Sequence, residues 1–69
     1  MVTYDKLRHL LIDRKIKLSV LCKTLNISRP TKSKIDNDEI VNLEILIRIC
    51  TYLECDIGDI VSIKKDPVN

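Results

Sequence analysis

Residues 18–36 read LSVLCKTLNISRPTKSKID, and the order of residue types in this stretch decides the fold. Leu18, Leu21, Cys22 and Leu25 recur at the three- and four-residue spacing of one helix face, which predicts a short helix over Leu18–Leu25. Asn26 follows, and Asn enters the left-handed conformation that ends helices more readily than most residues. Ser28 is an N-cap candidate, because its oxygen can accept an open N–H of the next helix's first turn. Pro30 suits that first turn, where the N–H it lacks would have no helical partner. A second helix is therefore predicted over Arg29–Asp36, joined to the first through Leu25-Asn26-Ile27-Ser28. Two short helices linked in this way make a helix-turn-helix unit.

The same reading extends outward on both sides. Leu7, Leu10, Leu11 and Arg14 follow the helical period and predict a helix over Asp5–Arg14, with Thr3 as N-cap, Asp5 in its first turn and His9 on its polar side. Lys15 to Lys17 form a break anchored by Ile16. Beyond the polar loop Asp36–Glu39, Asn42 caps a fourth helix that runs to Leu53, with Glu44 in its first turn. Leu43, Leu46, Ile47, Cys50 and Leu53 make its apolar face, and Ile45 and Ile49 widen it enough to suggest a dimer interface. Asp56 and Asp59 have the spacing of a capped single turn, and Ile60–Ile63 reads as a short strand pairing either near Val2 or with a partner's copy. The tail from Lys64 to Asn69 is expected to be loose.

Composition agrees with helices. The chain has 69 residues, one Gly, two Pro and 3% aromatic residues, too little turn chemistry for an all-β fold, and is read as a single domain over 1–69. A domain of this size buries only about 60% of its unfolded surface, which favours dimerisation. Twelve Lys and Arg against ten Asp and Glu give a net charge of +2, but the distribution matters more than the sum. Arg14 to Lys34 holds seven basic residues and no acid, whereas Asp36 to Asp59 holds seven acids and one base, Arg48. The first half can face phosphates while the second faces solvent. Cys22, Cys50 and Cys55 are odd in number and lack C-x-x-C spacing, so they read as reduced core thiols, with redox sensing the minor reading. His9 with three cysteines has no finger-like spacing for zinc, no run approaches a membrane span, and the N-terminus is unlike a signal peptide; a cytoplasmic chain is expected.

The segments ISRPTKSKI (Ile27–Ile35), VNLEILIRIC (Val41–Cys50) and LECDIGDI (Leu53–Ile60) resemble the Cro/C1-type, or XRE, helix-turn-helix family, in its short single-domain subgroup from bacteria and mobile elements. The resemblance covers Tyr4 to about Ile63 and rests in the recognition helix on Ile27, Ser28, Thr31, Ser33, Lys34 and Ile35. It implies an all-α, five-helix lambda-repressor-like domain with a short C-terminal strand, and a recognition helix over about 28–36. It also implies base reading by Arg29, Pro30, Ser33 and Lys34, and phosphate contacts from Lys17, Ser28, Lys32 and Asn37. Four features depart from the pattern: Lys32 stands where an apolar residue usually packs on the core, Lys17 replaces the usual Ser or Thr cap, Leu18 and Val20 occupy positions often polar, and the loop after the recognition helix lacks Gly. Lys32 is expected to carry its stem along the core edge and its ammonium toward a phosphate.

These readings converge on a sequence-specific regulator of transcription, a repressor binding a two-fold operator in double-stranded DNA as a homodimer. The other reading is a degenerate helix-turn-helix serving as a protein-interaction module of antirepressor or antitoxin type, docking through Leu18 and Val20. No nucleophile–base pair, metal cluster or phosphate loop stands out, so neither an enzyme nor a cofactor is expected.

Overall fold

The computed structural model describes residues 1–65. Strand β1 (Val2–Thr3) leads into helices α1 (Asp5–Arg14), α2 (Leu18–Thr24), α3 (Arg29–Asp36) and α4 (Leu43–Leu53), and a 3-10 turn (Ile57–Asp59) and strand β2 (Ser62–Ile63) complete it. The four α-helices stand where the sequence periodicity predicts them, except that Leu25 caps α2 instead of ending it.

One device ends all four. Lys15, Asn26, Asp38 and Glu54 each take a left-handed conformation, with φ of 58, 60, 56 and 55°. The following amide then reaches back five residues: Ile16 N to Leu11 O at 2.9 Å, Ile27 N to Cys22 O at 2.8 Å, Glu39 N to Lys34 O at 2.8 Å and Cys55 N to Cys50 O at 3.0 Å. This 6→1 bond satisfies carbonyls that a helix end leaves open and brings its first and sixth side chains together. A left-handed non-glycine residue costs about 1–2 kcal/mol. The apolar pairs Leu11/Ile16 and Cys22/Ile27, which join the core, help to offset that cost.

The core takes a buried side chain from every helix: Leu7, Leu21, Ile35, Ile49 and Leu53, with Ile60 from the end of the 3-10 turn. Fully burying one such aliphatic group contributes about 1.5–3 kcal/mol. On α4 the buried set is Leu46, Ile49, Cys50 and Leu53. Leu43 and Ile47, expected on the core face, point instead to solvent, because the core meets the helix a step further round. Together with Ile40 they leave apolar surface at the start of α4 and its second turn.

Three expectations are corrected. The fifth helix is a single 3-10 turn: Asp59 N and Ile60 N bond to Asp56 O and Ile57 O, at 2.9 and 3.1 Å, and the chain must then run back to β1. Asp59's carboxylate accepts from Asp56 N at 2.9 Å, as the acid spacing suggested. The strand shortens to Ser62–Ile63, since Ile60 is drawn into the core; it pairs antiparallel within the chain, Val2 opposite Ile63 and Thr3 opposite Ser62. Thr3 lies in that strand, so Tyr4 occupies the N-cap position of α1 with no side-chain cap, and the Thr3 hydroxyl accepts only Asp5 N, at 3.2 Å. Lys64 N donates to Met1 O at 2.8 Å, which extends the pairing; the rest of the expected loose tail, 66–69, lies outside the described residues. Among the described residues no helix is long and apolar enough to cross a membrane.

Candidate nucleic-acid interface

The turn between α2 and α3 is fixed from three sides. Asn26 supplies the left-handed residue and Ile27, buried, drives the chain back onto Cys22. The Arg48 guanidinium, reaching across from α4, donates to the Leu25 carbonyl. Cys22 is buried where α3 packs on α2, so a small side chain there permits the close approach.

Helix α3 begins at the Ser28 cap, whose oxygen accepts Thr31 N at 3.4 Å and whose hydroxyl lies 3.0 Å from Thr31 Oγ1. Pro30 sits in the first turn, as expected. Ile35 is the one fully buried residue of the helix, with Thr31 one turn before it half-buried. That row faces α2 and the core. Arg29 and Ser33 form one exposed row at i, i+4 spacing, and Pro30 and Lys34 form the next, so the four expected base-reading residues make one continuous outward arc. No ion pair among the described residues engages Arg29 or Lys34.

The C-terminal end of α3 is clamped by residues the sequence did not single out. Arg8 of α1 donates through Nη2 to Ile35 O, Asp36 O and Asp38 Oδ1, at 3.0, 3.2 and 2.9 Å, and through Nη1 to Asp5 Oδ1 at 2.7 Å. Tyr4 N donates to the same Asp38 oxygen at 3.0 Å, and the buried Tyr4 hydroxyl donates to Glu39 O at 2.7 Å. The Tyr4 amide, then Arg8, hold the Asp38 carboxyl below the usual carboxylate range. The Asp38 side chain is thus the acceptor on which the Tyr4 amide and Arg8 converge. Contacts across thirty or more residues, such as Arg8 and Tyr4 to Asp38, leave no periodic trace in the sequence.

The expected phosphate-contacting residues divide. Lys17 is exposed in front of α2 and provides no side-chain cap, so its ammonium is open to solvent. Ser28 spends its hydroxyl on the cap of α3. The Asn37 amide folds back to Ser33 O at 2.9 Å. Lys32 is half-buried, and its ammonium meets Asp36 Oδ2 at 2.9 Å, which raises its pKa. A groove of about 790 Å³ runs between α2 and α3, with Ser19, Lys23, Arg29 and Ser33 on its rim and Cys22 and Ile27 in its lining.

Comparison with known proteins matches this geometry. A family model described as a Cro/C1-type HTH DNA-binding domain matches residues 6–66. The crystal structure of the transcriptional regulator VanUg is similar at a TM-score of 0.87 and 44% identity, over 88% of this chain and 81% of that one. Among curated proteins there is no match. With its helix-turn-helix, its exposed basic arc and a family match over nearly its whole length, the chain belongs to the Cro/C1-type helix-turn-helix DNA-binding domain family.

Proposed function

We propose that this chain is a sequence-specific transcriptional regulator, a repressor, that inserts α3 into the major groove of double-stranded DNA and binds a two-fold operator as a homodimer. One observation carries the reading: Arg29, Pro30, Ser33 and Lys34 stand exposed on one arc of a helix held at both ends. Arg29 pairs bidentately with guanine O6 and N7, and Pro30 touches a thymine methyl. Ser33 and Lys34 follow one turn deeper. Lys17 meets the backbone from the start of α2. With its hydroxyl committed and Pro30 without an N–H, the turn that Ser28 caps offers a phosphate the Arg29 amide, where the helix dipole favours an anion. Lys32 and Asn37 reach phosphates by exchanging their partners, Asp36 and Ser33. The partner protomer meets the apolar surface of Ile40, Leu43 and Ile47, since β2 already pairs within its own chain. The similarity to VanUg, a transcriptional regulator, supports the regulatory role.

Selection of binding sites from random duplexes, with sedimentation of the selected complex, tests the reading. The expected result is a two-fold motif whose half-sites lie about one helical turn apart, bound by two chains. Enrichment of no motif would remove it and favour protein docking through Val20, which is 53% exposed, and its neighbour Leu18.

A further inference from the structure

Of the four helix ends, three carry an apolar pair at the first and sixth positions of the left-handed cap: Leu11/Ile16, Cys22/Ile27 and Cys50/Cys55. Only the last consists of two thiols. This cap geometry turns the two side chains toward each other. With standard bond lengths, the 3.0 Å bond from Cys55 N to Cys50 O also keeps their Cα atoms within about 7 Å, the span that a disulfide bridges. Both thiols are free, and both line a shallow groove of about 640 Å³ beside Ile47, Thr51 and Asp56. Cys55 is half-buried and Cys50 buried, so an oxidant arriving through the groove meets Cys55 first.

We propose that Cys50 and Cys55 are an oxidation site at which a hydroperoxide forms a reversible intramolecular disulfide across the C-terminal cap of α4. Cys55 loses its proton to solvent and the thiolate attacks the peroxide; an S–O bond forms, the O–O bond breaks, and the departing hydroxide or alkoxide takes up a proton from solvent to leave as water or an alcohol, giving a sulfenic acid. Cys50 attacks the Cys55 sulfur; the S–S bond forms, the S–O bond breaks, and the departing hydroxide takes the Cys50 proton and leaves as water. The two thiols are oxidised by two electrons in all, and the peroxide is reduced by the same two. Burial, then the neighbouring Cys55 thiol, pushes the Cys50 thiol up to about 11, so the second step is the slow one. Cys22 stays out of the reaction, because its partner in the cap is Ile27 and it lines the groove between α2 and α3 instead of the one that holds Cys50 and Cys55.

The test treats the folded full-length chain with hydrogen peroxide and, in parallel, with diamide. The expected product has lost two hydrogen atoms per chain, and the loss maps to the tryptic peptide from Ile49 to Lys64, which holds both cysteines. Dithiothreitol restores the starting mass. Cys22→Ala keeps the reaction and Cys55→Ala abolishes it, with circular dichroism showing that each variant is folded. Because the bond closes a loop in the unfolded chain, the oxidised protein should unfold at higher urea than the reduced one. A disulfide-linked dimer, sulfinic or sulfonic acid without a disulfide, a loss that maps to Cys22, or a lower urea midpoint would each overturn the proposal.

Discussion

Helices α3 and α4 begin and end alike, and they differ in everything between. Ser28 caps the first by accepting Thr31 N and Asn42 caps the second by accepting Glu44 N; Asp38 and Glu54 close them in the same left-handed conformation. Yet α4 buries four residues and α3 only Ile35. A helix whose outward arc stays exposed cannot draw its stability from that arc. α3 therefore relies on its ends, on Arg8 and Tyr4 at one and the braced turn at the other, while α4 is held by its apolar face. The difference can be broken at either helix, or sharpened at the caps.

The largest effect is expected in the middle of α4. Ile49→Ala should lower stability by about 2–5 kcal/mol by opening a cavity at a fully buried site, measured by urea unfolding, with the DNA affinity of the remaining folded protein unchanged. On α3 the expectation reverses. Arg29→Ala should leave the unfolding midpoint in place and weaken binding to the selected operator by about 1–3 kcal/mol, relaxing preference at one base per half-site. Equal loss on random DNA would show that Arg29 touches phosphate alone.

The caps give a finer contrast. Glu54→Gly should stabilise the protein by about 0.5–1 kcal/mol, as relief of left-handed strain exceeds the added freedom of the unfolded chain. Asp38→Gly gains the same relief but loses the acceptor shared by Tyr4 N and Arg8, so it should destabilise. Two stabilised variants would show that the clamp on α3 is dispensable. Lys32→Ile, at the half-buried edge of α3, should raise the unfolding midpoint and lower the log-log salt slope of DNA binding by about 1. An unchanged slope would leave Lys32 paired only with Asp36.

The smallest effect concerns pH. Because the Tyr4 amide and Arg8 depress the Asp38 pKa in the folded protein, its contribution is present above the unfolded value of about 4. It is lost as the pH falls through the lower folded value. Melting temperature should drop below about pH 4, and Asp38→Asn, less stable at neutral pH, should show a shallower drop. Parallel curves would place the acid sensitivity elsewhere.

The sequence by itself determined what local physics controls. Periodicity placed four helices, Asn26 marked the left-handed turn, Ser28 and Asn42 marked two caps, and the acid-free run from Arg14 to Lys34 marked the basic half. Arg29, Pro30, Ser33 and Lys34 were named by the resemblance to the Cro/C1-type family, and all four stand exposed on one arc of α3. Tertiary structure decided which part of an over-wide apolar face meets the core, and so left Leu43 and Ile47 exposed on α4. It also decided that Thr3 belongs to a strand, that Lys32 meets Asp36, and that Arg8, Arg48, Tyr4 and Asp38 hold α3 and its turn in place. Those outcomes depend on groups far apart in the chain, whose meeting is set by how the helices stack and not by any spacing along the sequence.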